Sequence, residues 1–128
     1  MKTITYEELV KLNMCKSFLG WYLEHFTKEQ EVTFDDFLKC GDSKRIYQLI
    51  FNVKSYKTKY HLNKYLEMKP DWKALWMLMT FFKRFQTQDN FDRFLEMKPD
   101  LQHCQWLVSQ VKKFQTEENY KRLENMKD

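Results

Sequence analysis

Lys64-Tyr65-Leu66-Glu67-Met68-Lys69-Pro70-Asp71 returns 29 residues later as Arg93-Phe94-Leu95-Glu96-Met97-Lys98-Pro99-Asp100. The echo extends beyond these words. Lys83-Arg84-Phe85-Gln86-Thr87 is answered by Lys112-Lys113-Phe114-Gln115-Thr116, and Asn90-Phe91-Asp92-Arg93 by Asn119-Tyr120-Lys121-Arg122, both at the same offset. Self-similarity at a period of roughly 20–50 residues marks a stacked repeat, in which each unit buries its apolar face against its neighbours. The period predicts an all-α fold: a short solenoid of antiparallel helix pairs forming one domain over 1–128.

Threonines set the phase. Thr58, Thr87 and Thr116 stand one period apart, each before a short apolar-periodic run, where a hydroxyl can accept an orphan backbone N–H. Thr5 with Glu8 and Thr33 with Asp36 carry the same grammar as capping boxes. Ile4/Leu9 and Val32/Phe37 are placed as the matching hydrophobic staples. Short helices are therefore expected near 6–13, 34–40, 59–68, 88–97 and 117–126. Longer ones are expected near 15–26, 43–55, 71–86 and 101–115, with apolar stripes at helical spacing. Pro70 and Pro99 close short helices and can open long ones, and Gly41 serves as a left-handed stop. The segments run 5–32, 33–57, 58–86 and 87–115, with a polar cap over 116–128. Leu66 and Leu95 are expected in matching core sites.

Composition bounds the function. A chain of 128 residues with 11 Phe, 7 Tyr and 4 Trp has enough apolar surface for a core without metal or disulfide staples. Four Gly and Pro together are too few for a turn-rich β protein. No apolar run reaches the ~18 residues of a membrane span, and residues 1–8 lack a secretory h-region. Three cysteines at unpaired spacing suit reduced thiols and a cytoplasmic setting, with Cys15 and Cys104 on apolar stripes as small buried hydrophobes. His25, His61 and His103 fall on different segments without metal-ligand spacing. With two glycines, no phosphate-cradling loop can be assembled, and no nucleophile–base order is visible. The expectation is a protein that is not an enzyme, with no cofactor, no metal and no small-molecule substrate.

The opening segment carries a resemblance. Thr5-Tyr6-Glu7-Glu8-Leu9, then Asn13 and Cys15, Trp21, and Glu24-His25-Phe26 resemble a module in small helical proteins of phages and prophages of the anti-defence, anti-CRISPR-like kind. It covers about residues 3–40. The resemblance implies a mobile-element origin, a bacterial host cytoplasm, and a partner among host defence proteins.

Charge gives the sharper signal. Residues 1–42 hold five Lys against eight acids; 43–84 hold ten Lys and Arg against two; 85–128 hold seven against eight. In the basic middle, Lys44, Arg45, Lys54, Lys57, Lys59 and Lys64 interleave with aromatics that include Tyr56 and Tyr60. Lysine and arginine neutralise phosphates and exposed aromatics stack on unpaired bases, so these eight residues form the candidate nucleic-acid surface. The bland alternative is a solvated lysine-rich face. Met77, Phe81 and Trp106 lie off the core stripes, with Met77 and Trp106 one period apart, and form a candidate partner surface. Curvature burying the third and fourth segments on two sides would explain them equally.

Three functions follow as expectations. The first is an inhibitor that occupies a host defence nucleoprotein, such as a CRISPR effector with its guide RNA. The second is a small RNA- or DNA-binding regulator. The third is a scaffold that contacts protein alone.

Overall fold

The computed structural model describes residues 2–127; Met1 and Asp128, the ends of the expected domain and cap, lie outside the described residues. The protein is all-α. Among the described residues are nine α-helices: α1 (Tyr6–Lys11), α2 (Lys16–His25), α3 (Phe34–Lys39), α4 (Ser43–Asn52), α5 (Lys59–Leu66), α6 (Trp72–Phe81), α7 (Gln88–Glu96), α8 (Leu101–Gln110) and α9 (Glu117–Asn125). Two-residue strands β1 (Thr3–Ile4) and β2 (Val32–Thr33) pair antiparallel, Thr3 opposite Thr33 and Ile4 opposite Val32. Among the described residues no helix is long and apolar enough to cross a membrane.

The chain divides into two compact bodies, Met1–Pro70 and Asp71–Asp128. In the first, Leu9, Phe18, Tyr22, Phe37, Ile46, Leu49, Ile50, Leu62 and Tyr65 form the core, and α4 packs on α5. In the second, Leu75, Leu78, Met79, Phe91, Phe94, Cys104, Leu107 and Phe114 do so, with α6 on α7 and α8, and α8 on α9.

The threonine grammar is physical. The hydroxyls of Thr5, Thr33, Thr58, Thr87 and Thr116 accept the backbone N–H three residues on, at 3.1–3.3 Å. Glu8 and Asp36 return bonds to the Thr5 and Thr33 amides, completing both capping boxes. Both members of each staple pair are buried. Asp42 and Asp100 cap α4 and α8 in the same way, and Asp71 caps α6 by accepting the amide two residues on, that of Lys73.

Local geometry differs from expectation in four places. Three of the four longer helices, α4, α6 and α8, are shorter than their stripes: Val53, Phe82 and Val111 leave the helix in extended backbone, and 3-10 turns follow at Lys54–Tyr56, Lys83–Phe85 and Lys112–Phe114. Each turn buries its last aromatic, Tyr56, Phe85 and Phe114. Pro70 and Pro99 precede the N-cap aspartates instead of occupying the first helical position. The preceding Lys69 and Lys98 are left-handed, φ 56° and 59°, as are Asn13 and Gly41 after α1 and α3. That region is uncommon outside glycine and asparagine. Leu66 and Leu95 are only half-buried, because the core face of α5 and α7 runs through Leu62/Tyr65 and Phe91/Phe94. Cys15 is exposed, since it is the residue from which α2 starts and not part of its apolar stripe.

Candidate nucleic-acid interface

The eight basic-region residues separate into two groups on the first body. Lys44 and Arg45 open α4, whereas Lys54 lies beyond its end, about 15 Å along the axis of a ten-residue helix. Arg45 is engaged locally: its Nη1 donates to Ser17 Oγ at 3.3 Å and to Gln48 Oε1 at 3.0 Å. Beside it, exposed Cys15 meets the Ser17 hydroxyl at 3.2 Å. That hydrogen bond, then the Phe18 backbone and the Arg45 charge, hold its thiol below the ordinary value.

The second group is continuous in the chain, from Lys54 through the 3-10 turn into α5. Lys54 and Lys59 are exposed, and Lys57 and Lys64 are half-buried. Lys64 pairs with Glu67 at 3.7 Å and lies 5.8 Å from the centre of the Tyr60 ring. Tyr60 itself is 52% exposed. Tyr56 corrects the expectation of a base-stacking ring: it is 1% exposed and packs on Phe34 at 5.0 Å between ring centres. Burial pushes its hydroxyl up to about 12. The signal was present in the chain, because Tyr56 stands 29 residues before Phe85 and 58 before Phe114, both core anchors.

That register exposes what the first body does differently. Lys59-Tyr60-His61 stands where the second body has Gln88-Asp89-Asn90 and Glu117-Glu118-Asn119. Asn90 and Asn119 are buried structural groups whose Nδ2 donates to the carbonyls of Phe85 (2.9 Å) and Phe114 (3.0 Å). His61 bonds the Thr58 hydroxyl through Nδ1 instead, and its ring lies edge-on to Phe34 at 4.7 Å and to Tyr60 at 5.2 Å. Burial lowers its pKa, against the opposing pull of Asp35. Acids suit a helix start, as in α7 and α9; α5 has none in its first turn and places Lys59 there.

The partner residues lie in the second body. Phe81 and Trp106 are 58% and 41% exposed, while Met77 is half-buried. The ring beside Trp106 is Trp76, at 5.1 Å, and Trp76 donates from Nε1 to the His103 carbonyl at 3.2 Å. His103 lies against both Trp72 and Trp76, at 4.8 and 4.9 Å. Cys104 is buried, with its thiol pushed up to about 12 by desolvation. Among the described residues no group of three or more His, Cys, Asp or Glu is arranged to hold a metal ion.

Fold and site together define an all-α protein with a basic, aromatic edge built around the start of one helix. No family model, curated protein or solved structure matches the chain.

Proposed function

We propose that this chain is a non-enzymatic binding protein whose edge from Lys54 to Lys64 meets the backbone of a nucleic acid. One observation carries the reading. Where α7 and α9 begin with acids, as the helix dipole favours, α5 begins with Lys59, Tyr60 and His61. Residues that break a local rule are where binding sites are sought. Seven Lys and Arg against one acid over 43–70 put this break inside a field that attracts phosphate.

The test is fluorescence anisotropy with labelled RNA and DNA at about 50 and 200 mM salt, comparing the parent with the triple variant Lys54→Glu, Lys57→Glu, Lys59→Glu. Each lost single-strand phosphate contact should lower the log–log salt slope by about 0.7. Equal affinity and equal slope for both proteins would reduce the basic edge to a solvated face.

A second reading, occupancy of a host defence nucleoprotein, is favoured by the exposed Phe81 and Trp106 of the second body. Large aromatics in water are the usual anchors of protein interfaces. It is tested by inhibition of a purified, guide-loaded CRISPR effector. Loss of inhibition in Phe81→Ala and Trp106→Ala would support it, and no inhibition by the parent would end it.

A further inference from the structure

The α5 start does more than carry charge. A cleft of about 340 Å³ opens beside it in the first body, walled by the rings of Phe34, Tyr60 and His61. Ser55 and Tyr56 also line it, and both carry buried hydroxyls with no hydrogen-bond partner among the described residues. Buried polar groups are nearly always paired, and an unpaired one is costly to leave so. Nδ1 of His61 is taken by Thr58, which leaves Nε2 as the ring's remaining polar atom. The cleft therefore combines flat aromatic walls with a polar ring, that of His61, while the two unpaired hydroxyls lie buried beneath its lining.

The charges around it are sorted. Asp35 lines the cleft and disfavours a phosphate inside it. Lys2 lines both this cleft and a neighbouring one that also holds Lys11, Lys54 and Ser55, three lysines against the single acid Glu8. A ligand that fits is aromatic, carries hydrogen-bonding edges, and is attached to an anionic chain lying outside the cleft.

Resting on the nucleic-acid reading above, we propose that this cleft captures one unpaired base of a single strand, stacked against Tyr60, while the neighbouring phosphates lie along Lys54, Lys57 and Lys59. A base held in a duplex cannot enter, so the cleft makes the protein selective for single strands. Base–aromatic stacking is tolerant of sequence, so RNA and DNA single strands both qualify.

The experiment measures anisotropy of a short labelled single strand, as RNA and as DNA, against the blunt duplexes of the same sequence. The parent is compared with Tyr60→Ala, with His61→Asn and with the triple lysine variant. His61→Asn places in α5 the residue that α7 and α9 already use at this position, so the fold keeps a known solution; circular dichroism checks both pocket variants. The expected result is single-strand binding at least tenfold tighter than duplex binding. Tyr60→Ala should weaken the single strand roughly tenfold without changing the salt slope, whereas the lysine variant weakens both forms and lowers the slope. Duplex binding as tight as single-strand binding, or a folded Tyr60→Ala protein of parental affinity, overturns base capture and leaves the basic edge standing. No binding of either form at low salt overturns both.

Discussion

Asn119 is fully buried, and its side chain closes the last 3-10 turn onto α9. Its Nδ2 donates to the Phe114 carbonyl at 3.0 Å and to Gln88 Oε1 at 3.1 Å, and its Oδ1 accepts from Gln88 Nε2 at 3.0 Å. Two replacements separate its shape from its chemistry. Alanine removes all three bonds, but the Phe114 carbonyl keeps a second donor, the Thr116 amide at 2.9 Å. Gln88, being exposed, can turn to water. The cost of Asn119→Ala should then be about 1–2 kcal/mol, one to two net hydrogen bonds. Asn119→Asp keeps the shape but sets a carboxylate against a carbonyl oxygen in the core. At neutral pH that cost should reach about 3 kcal/mol or more, the scale of an uncompensated buried charge. Protonation restores a donor, so the aspartate variant should recover toward the parent near pH ~4. The sign follows from linkage. Its folded pKa is raised above the unfolded ~3.9, so stability is lost as pH rises above that value. Urea unfolding followed by tryptophan fluorescence reads the second body, which holds Trp72, Trp76 and Trp106 of the four tryptophans. An aspartate variant within about 0.5 kcal/mol of the parent at neutral pH would refute the account of Asn119 as an obligatory donor.

Three further outcomes are expected. Lys98→Gly should stabilise by up to about 1 kcal/mol in urea, since relief of a left-handed lysine exceeds the added flexibility of glycine; a destabilised variant would contradict it. His61 has a folded pKa below its ordinary 6.5, so the unfolded chain binds the extra proton first and stability falls as pH drops below that value. Thermal unfolding at pH about 7.5 and 5.5 should show a smaller difference in His61→Asn than in the parent, and an unchanged difference would refute this. Under native conditions iodoacetamide should label Cys15 well before Cys104, by peptide mass mapping, because one thiol is exposed and hydrogen-bonded to Ser17 and the other is buried.

The helix starts were legible because, apart from α2, which begins at Cys15, each is written in short-range chemistry: a threonine or aspartate and the amide two or three residues on. The ends of α4, α6 and α8 were not. Val53, Phe82 and Val111 satisfy the apolar spacing of a continuing helix, yet their backbones turn extended so that Tyr56, Phe85 and Phe114 can enter the core. Spacing reports which residues are apolar and cannot report a change of rise per residue. The basic edge was visible as composition, but its working geometry was not. Composition alone treats Tyr56 and Tyr60 alike; the 29-residue register separates them, placing Tyr56 with the core rings Phe85 and Phe114 and Tyr60 with the exposed Asp89 and Glu118. The cleft at His61 was missed for a related reason. Alignment of 59–61 with 88–90 and 117–119 would have shown basic and aromatic residues replacing amides and acids.

The most direct test of nucleic-acid binding at the start of α5 is a ¹H–¹⁵N chemical-shift titration of the labelled protein with a short single strand. The account predicts that the largest shifts fall on Lys54 to Lys64, with His61 and Tyr60 among them. Shifts confined to α6 and α8 around Phe81 and Trp106, or no shifts at low salt, would contradict it.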